Sequence, residues 1–195
     1  RSSYYKKFLE NFEDDKISSE LDILKKSFFD EKSMDFILDV GADIGYQTLF
    51  YKSYFASNTR ILCFEPHPIS YFFLNENLGQ YKNISLYNFA LGDRESKEII
   101  SVPKHESHRL TNLGIASISK NKTNHLQEEI QVKKFDDLDI LKGEYKTIFI
   151  KIDVEGYEKK VLFGMNNFLK KKINIFLQIE INKNYQNFNE LKSIV

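Results

Sequence analysis

Two short stretches of the chain combine glycine with carboxylates in a spacing suited to ligand binding. Residues 36–45 read FILDVGADIG, so a short apolar run enters a loop with glycine at both ends. Residues 151–158 read KIDVEGYE and place three acids and one lysine around the end of another apolar run. Glycine lets a backbone turn tightly and lie flush against a ligand, and ligands of open α/β sheets bind at the carboxyl ends of the strands. Both stretches are therefore candidates for one binding edge.

The glycine loop departs from the dinucleotide-binding fingerprint. Its glycines are Gly41 and Gly45, and the middle glycine of G-x-G-x-x-G is missing between them. Asp43 would place a negative charge where a pyrophosphate should sit. A ligand with a cation and no phosphate suits this loop better, and S-adenosylmethionine is such a ligand. For the loop alone, the alternative is an ordinary strand-to-helix turn that needs glycine only for its geometry.

An acid and two prolines follow a second apolar run, residues 60–64. The acid is Glu65, and the residues after it are Pro66, His67 and Pro68. An acid at the end of the second strand can accept the hydroxyls of a ribose, and the prolines fix the backbone and end the strand. The alternative is a solvated strand-end charge. We predict ribose binding by Glu65, whereas His67 either contacts the cofactor or is a solvated turn residue.

Further candidates lie at the ends of later strands. The small Ala90 leaves room for an adenine ring, or simply packs. Asp153 follows an apolar run, residues 147–152, and Glu180 lies near the end of another. Such carboxylates can act as bases when burial or like charges raise their pKa. Glu155 can instead stabilise the start of the next helix through the helix dipole.

Apolar runs and helical spacing predict the elements that must hold these residues. Strands are expected over 36–40, 60–64, 84–89, 97–102, 131–135, 147–152 and 173–181, with helices over about 45–56, over 68–79, and ending at 163. The strand over 131–135 reads as a short edge strand, and residues 103–127 read as a long polar loop. We expect a Rossmann-like, doubly wound, mostly parallel α/β sheet over 36–195, preceded by a helical cap over 1–35.

Composition bounds the class of protein. The 195 residues are 42% hydrophobic, enough for one α/β domain with a core. Lysine and arginine number 28, as do aspartate and glutamate, and the zero net charge argues against a nucleic-acid or anionic-membrane partner. Cys63 is the only cysteine, so no disulfide or cysteine-based zinc site can form within the chain.

No run approaches transmembrane length and no signal-peptide pattern occurs, so we expect a cytoplasmic chain without a membrane span. The chain begins with Arg1 rather than Met, which indicates a fragment or a processed chain. His105, His108 and His125 lack tight metal-ligand spacing, so no metal site is predicted.

Taken together, these motifs resemble those of the FkbM family of S-adenosylmethionine-dependent methyltransferases. The resemblance covers about residues 36–182. It is carried, in the order of the family, by DVGADIG at 39–45, EPHP at 65–68, Asn112 with GIAS at 114–117, FDDL at 135–138, KIDVEGYE at 151–158, and Glu180. The chain departs from the family at Asp43, where asparagine is usual.

The resemblance implies an S-adenosylmethionine site and, mostly, O-methylation of a hydroxyl on a sugar or another small metabolite. By position, the resemblance implies that Asp39, Gly41, Gly45 and Glu65 hold the cofactor. With the candidates from the individual motifs, the residues that we expect at the cofactor are Asp39, Gly41, Ala42, Asp43, Gly45, Glu65, Pro66, His67 and Ala90. The residues expected on the reaction side are Asp153, Glu155 and Glu180, with Asp153 or Glu180 as the base. A divalent cation on these acids is compatible with the resemblance but is not required by the spacing. A sheet of this family normally ends with two more strands, for which the chain after Glu180 is short.

Two other classes of function remain open at this point. A nicotinamide-dependent (NAD) oxidoreductase shares the strand, the loop and the ribose acid, although the missing glycine and Asp43 count against it. A non-catalytic domain that binds a nucleoside or a partner protein is the second alternative, because the sheet reads as incomplete.

Overall fold

The structure is a computed structural model, and it describes residues 34–103, 117–118 and 125–180. Its strands are β1 (Phe36–Val40), β2 (Arg60–Phe64), β3 (Ile84–Tyr87), β4 (Ala90–Leu91), β5 (Ser96–Pro103), β6 (Ser117–Ile118), β7 (His125–Lys133), β8 (Thr147–Ile152) and β9 (Asn174–Ile179). Its helices are α1 (Tyr46–Tyr54), α2 (Pro68–Leu78), α3 (Glu158–Gly164) and α4 (Asn166–Leu169), with a 3₁₀ turn at Phe135–Asp137.

The described residues form a five-stranded main sheet in the order β3-β2-β1-β8-β9. All of its neighbouring strands pair in parallel. The chain builds outwards from β1 to β3 and then returns to the other side of β1 with β8. This reversal between β1 and β8 is the switch point at which doubly wound sheets bind their ligands. The predicted Rossmann-like α/β fold is confirmed.

The central strands are buried along their whole length. Every residue of β1 and of β8 is buried, and β2 is buried apart from Arg60. Parallel strands covered on both faces read as continuous apolar runs, and for this reason the predicted bounds of these three strands agree with the structure. By contrast, β9 is half-buried at most of its positions.

Helices α1 and α2 cover one face of the main sheet. Tyr51 of α1 is buried and meets Phe149 of β8 edge-on, with ring centroids 5.3 Å apart. On this face Cys63 of β2 is completely buried, and its Sγ lies 3.4 Å from Thr48 Oγ1. Burial raises the pKa of the Cys63 thiol, so the thiol stays protonated.

A second, four-stranded sheet in the order β4-β7-β5-β6 contributes to the opposite face. Strands β5 and β7 pair antiparallel over eight residue pairs, from Ser96 with Val132 to Pro103 with His125. Ile100, Ile130 and Val132 join the core cluster that also contains apolar residues of β1 and β8.

Two sequence-based predictions are corrected by this sheet. The strand predicted over 131–135 is nine residues long and lies inside a sheet, between β4 and β5, rather than at an edge. The predicted loop over 103–127 contains β6 and the start of β7. Periodicity failed here because residues 126–129 are exposed, so the segment lacks the alternation of buried and exposed residues that marks a strand.

The helical cap predicted over residues 1–35 falls outside the described residues except for Met34 and Asp35. Met34 is buried. The backbone N–H of Asp35 donates to Thr147 O, and its carboxylate accepts from the N–H groups of Lys146 and Thr147. None of the helices in the described segments is long and apolar enough to cross a membrane.

Candidate active site

A cavity of about 240 Å³ opens at the carboxyl ends of β1, β2 and β8. Eight of the residues predicted for the site line it, together with ten residues that were not predicted as site residues. The predicted lining residues are Gly41, Ala42, Asp43, Glu65, Pro66, Ala90, Asp153 and Glu155. The others are Val40, Tyr46, Gln47, Phe64, Leu91, Ile100, Ile118, Lys151, Val154 and Tyr157. The structure therefore brings the glycine loop, the strand-two acid and the second acidic stretch to one cavity.

Glu65 is buried where β2 meets the cavity, with 7% of its surface exposed. One carboxylate oxygen, Oε2, accepts a hydrogen bond of 2.9 Å from Asp43 N. The other, Oε1, accepts one of 2.8 Å from His67 N. Burial raises the pKa of Glu65 to about 7, although both hydrogen bonds act in the opposite direction. Each oxygen still has a lone pair for a ligand hydroxyl.

Lys151 connects the ends of β1 and β8 beneath the cavity. It is opposite Asp39 in the pairing of these strands and is 4% exposed. Its ammonium lies 3.5 Å from Asp39 Oδ1 and 3.2 Å from Asp153 Oδ2, and it donates to Gly41 O at 2.9 Å. Burial favours loss of the proton, but the two carboxylates prevail and raise the pKa of Lys151. The lysine is therefore a fixed cation that holds the glycine loop to β8.

Asp39 is fully buried and lies behind the cavity wall rather than in it. Its Oδ2 accepts a hydrogen bond from the hydroxyl group of Thr48. Burial raises the pKa of Asp39, while Lys151 and Thr48 oppose that change. This geometry suits a residue that supports the loop.

The two loop glycines are required by protein packing on different sides. A Cβ at Gly41 would lie 1.8 Å from the carbonyl oxygen of Asp153, and its φ is +80°. A Cβ at Gly45 would meet the side chains of Leu78 and Leu74 in α2 at 2.6 and 2.9 Å. The loop therefore fits tightly between β8 and α2. Gly45 does not line the cavity, whereas Gly41 does.

His67 and Glu180 also lie away from the cavity lining. His67 is 2% exposed and begins α2, where its Nδ1 accepts from Ser70 N at 3.4 Å. Burial lowers its pKa, which favours the neutral imidazole that this bond requires. The solvated-turn alternative for His67 is therefore wrong. Glu180 follows β9, and its backbone N–H donates to Ile152 O.

Two residues other than glycine have left-handed backbone conformations at the cavity. Asp43 has φ of 48° and Glu155 has φ of 50°. Such conformations are uncommon outside glycine and cluster at functional sites. They lie in the two acidic loops, one on each side of the switch point.

Apolar side chains form the remainder of the cavity, and several come from the second sheet. Ala90 and Leu91 belong to β4, Ile100 to β5 and Ile118 to β6. A cavity lined by both apolar side chains and carboxylates suits a ligand with a flat apolar part and a polar, cationic part. Across the described segments, no group of three or more His, Cys, Asp and Glu side chains is arranged to hold a metal ion.

Lys151 and Gln47 are the main lining residues that sequence reasoning missed. In the sequence, Lys151 stands out only as the lysine of the acidic stretch 151–158, at the end of an otherwise apolar run. Its position opposite Asp39 follows from the register of β1 and β8, which only the structure shows. Gln47 carried no comparable signal, because a glutamine in the first turn of a helix is usually a surface residue.

The parallel sheet, its switch point and the cavity beside it define a Rossmann-like ligand-binding domain. Comparison with known families then gives the particular kind. Residues 39–194 match the methyltransferase FkbM domain. The chain belongs to this family, as the sequence motifs predicted.

Solved structures with a similar chain course are also methyltransferases by their titles. They include the methyltransferase FkbM from Methylobacillus flagellatus KT, at 19% identity and a TM-score of 0.44, covering 74% of this chain and 32% of that chain. A precorrin-6y C5,15-methyltransferase from Geobacter metallireducens GS-15 has 15% identity and a TM-score of 0.46, covering 90% and 68%. A SAM-dependent methyltransferase from Aquifex aeolicus has 13% identity and a TM-score of 0.44, covering 89% and 74%.

The chain thus spans about a third of the length of the Methylobacillus chain. A comparison of the present chain with curated proteins finds no match.

Proposed function

We propose that the cavity binds S-adenosylmethionine and that the chain transfers its methyl group to a hydroxyl of a small molecule, such as a sugar or another metabolite. The observation that carries this proposal is the position of Glu65. Its buried carboxylate is held by Asp43 N from the glycine loop and by His67 N from its own loop, and each oxygen has a further lone pair for a ligand in the cavity that Glu65 lines. A carboxylate so fixed can accept the two hydroxyls of a ribose.

The charged residues of the cavity fit this cofactor better than they fit a dinucleotide. Asp43, Glu65, Asp153 and Glu155 all line the cavity. Lys151 is the one basic residue among the described residues that line the cavity. Its ammonium is already bound by two carboxylates and a carbonyl. Negative charge favours a sulfonium and opposes a pyrophosphate. Family membership supports the same choice over the oxidoreductase alternative.

The apolar part of the cavity suits the adenine ring. Phe64, the last residue of β2, and Ala90, the first residue of β4, line the same cavity as Glu65. The small Ala90 leaves space beside the larger apolar residues of the second sheet. We assign the adenine ring to this apolar part of the cavity and the ribose to Glu65.

Asp153 is the described carboxylate best placed to assist the reaction. It follows β8 at the switch point, lines the cavity and is fixed by Lys151 at 3.2 Å. When bound, S-adenosylmethionine supplies an activated methyl group on a sulfonium. The chain orients an acceptor hydroxyl beside that group, which provides much of the rate enhancement by proximity, and Asp153 accepts the hydroxyl proton. Glu155, in the same loop, would help to position the acceptor, while Glu180 lies outside the lining.

Calorimetric titration with S-adenosylmethionine, S-adenosylhomocysteine and NAD tests the proposal. We expect the first two to bind and NAD to bind at least about a hundredfold more weakly, because its pyrophosphate meets carboxylates. Binding of NAD alone would support the oxidoreductase, and no binding of any of the three would support a non-catalytic domain that binds a partner protein. The acceptor class is tested by incubation with labelled S-adenosylmethionine and a panel of hydroxylated metabolites, where stable methyl ethers are the expected products.

A further inference from the structure

The segment that joins β8 to β9 concentrates positive charge in a chain whose net charge is zero. Residues 159–172 read KKVLFGMNNFLKKK, with five lysines and no acid among fourteen residues. The zero net charge argues against an extensive basic surface, but a local basic surface is compatible with it. This segment is therefore a candidate interaction surface.

The segment folds as two helices that are almost continuous and that bury one side. Only Met165 separates α3 from α4, and its N–H still donates to Val161 O at 3.1 Å. The N–H of Leu169 donates in turn to Met165 O at 2.9 Å. The residues that the two helices and their junction bury in the core cluster are Val161, Leu162, Met165 and Phe168.

The outward side of these helices carries lysines around one aromatic ring. Helical residues three or four positions apart share a face, and the residues at such intervals here are Lys159, Phe163, Asn167 and Lys170. Phe163 is 45% exposed, and Lys159 Nζ lies 5.9 Å from the centre of its ring. Lys170 is exposed, as are the two lysines that follow it. We call residues 159, 163, 167 and 170–172 the basic face.

Two acids adjoin the basic face, and backbone N–H groups bind both of them. Glu158 Oε1 accepts from Gly156 N at 2.9 Å. The carboxylate of Asp136 accepts two hydrogen bonds of 2.9 Å from N–H groups of α4. No ion pair among the described residues includes a lysine of 170–172. The four lysines of the face outnumber these two acids, so the face keeps a positive charge.

We propose that the basic face docks the chain on the surface of an anionic lipid bilayer. Lysine ammonium groups are attracted to the negative surface of such a membrane. An exposed aromatic ring among them enters the boundary between headgroups and acyl chains, where aromatic side chains are enriched. Charge and one inserted ring are two separate contributions, and stable attachment to a membrane surface generally needs two.

The composition of the face favours a bilayer over a nucleic acid. Its cations are all lysines, which act as point charges, whereas arginine has the planar fork that binds a phosphate in two places. Exposure of an aromatic ring alone does not define such a face. Phe72 in α2 is 59% exposed, but residues 68–78 contain no lysine or arginine. Phe163 is the exposed ring that lies among lysines in the described part of the chain.

Co-sedimentation of the full chain with lipid vesicles tests the proposal. The vesicles consist of phosphatidylcholine alone or of phosphatidylcholine with about 30% phosphatidylserine. We expect binding to the anionic vesicles and binding at least about tenfold weaker to the neutral ones. The affinity for anionic vesicles should fall by about tenfold or more between about 50 and about 500 mM salt, because salt screens exposed charges.

Two lysine variants locate the surface that binds. Lys170→Gln combined with Lys172→Gln should weaken binding to anionic vesicles by about thirtyfold, on the scale of a lysine at such a membrane. Lys82→Gln combined with Lys97→Gln is the matched control, because it removes two exposed lysines outside the basic face. The control should change the affinity by less than about threefold. Thermal melting checks that each variant is folded.

A second pair of variants tests insertion of the ring. Phe163→Gln should weaken binding by about tenfold, because it removes the apolar surface that enters the bilayer. Phe72→Gln removes an equally large exposed ring from α2 and should leave the affinity unchanged. An affinity that is the same for Phe163→Gln and the wild-type chain would overturn this mode of docking.

Three other results would overturn the proposal. The first is a wild-type chain that does not bind the anionic vesicles. The second is an equal loss of affinity in the two lysine variants, which would show a response to total charge rather than to the basic face. The third is binding of a single-stranded oligonucleotide instead of vesicles, lost when Lys170 and Lys172 are replaced, which would assign the face to a nucleic acid.

Discussion

The carboxylate of Glu65 accepts one hydrogen bond from the distant glycine loop, at Asp43 N, and one from its own loop, at His67 N, and Glu65 also lines the cavity. The same carboxylate therefore orders the loops and offers acceptors to a ligand. An amide at this position would turn one of its two acceptors into a donor that faces a backbone N–H. For this reason Glu65→Gln should disturb the loops as well as the ligand contact.

The pH dependence of binding follows from the raised pKa of Glu65, which is about 7. Ribose hydroxyls donate to the ionised form, so ligand binding lowers this pKa. Affinity for adenosine should therefore rise with pH from 5.5 to about 7, by at most about tenfold per unit, and level off above. Titration calorimetry in two buffers of different ionisation enthalpy should also detect proton release near pH 6.5.

The slope with pH should disappear in Glu65→Gln. A wild-type affinity that is constant over this pH range would mean that Glu65 does not bind the ribose in its ionised form.

A second residue-scale prediction concerns Asp153, which lines the cavity. Asp153→Asn keeps the shape and removes the charge, so turnover should fall by roughly a hundredfold or more, with a smaller change in affinity for S-adenosylhomocysteine. Glu180→Gln is the matched control, because Glu180 does not line the cavity. Turnover is measured with an acceptor identified from the metabolite panel. If Glu180→Gln is the variant that loses turnover, the base is Glu180.

At the scale of elements, the site depends on the junction of β1, β8 and the glycine loop. Lys151 crosses this junction and is almost fully buried. Lys151→Met would leave the buried carboxylate of Asp39 without its cation, and removal of one partner of a buried pair costs about 3–5 kcal/mol. Urea unfolding should show this loss. Addition of Asp39→Asn should recover part of it, and a loss under about 1 kcal/mol in the single variant would contradict the role of Lys151.

Gly41 and Gly143 provide a matched pair for the packing of the loop. Both have positive φ, of +80° and +92°. A Cβ at Gly143 would meet nothing within 4 Å, whereas one at Gly41 would overlap the carbonyl oxygen of Asp153. Gly143→Ala should therefore cost only the backbone strain, about 1–2 kcal/mol.

Gly41→Ala should cost about 1–3 kcal/mol more than Gly143→Ala, because the overlap adds to the strain. Chemical denaturation measures both variants. Equal losses of unfolding free energy would show that β8 shifts at little cost to accommodate the methyl group. Glycine would then be needed at position 41 only for its positive φ.

The elements also show where sequence reasoning succeeds. Strands β1, β2 and β8 were predictable because strands buried on both faces are continuous apolar runs between turn residues. The prediction for strand β7 was too short because residues 126–129 are exposed. Its pairing with β5, which joins two separate segments of the chain, leaves no signal in the local sequence. The acids at the strand ends were predictable from topology alone. The contacts that Lys151 makes with Asp39 and the glycine loop were not predictable, because they depend on the register between β1 and β8.

For the whole molecule, the family match over residues 39–194 agrees with the motifs that were recognised over about 36–182. The cavity lies where the sheet reverses direction, and most of the predicted residues meet there. The acceptor was not predictable, because its identity depends on the shape and chemistry of the cavity wall rather than on the motifs that hold the cofactor. The second sheet supplies part of that wall through Ile100 and Ile118.

The centre of the main sheet contains the one thiol of the 195-residue chain, and it is fully buried and protonated. A thiol reagent reaches Cys63 only when β2 separates from α1, so the labelling rate should report how often the native fold opens. With S-adenosylhomocysteine at about 100 times its dissociation constant, labelling should slow by about a hundredfold if opening releases the ligand. Reaction within seconds in native buffer would contradict this. The unmodified chain thus carries its own probe of opening, and ligands can be ranked by protection of a single sulfur atom without an acceptor.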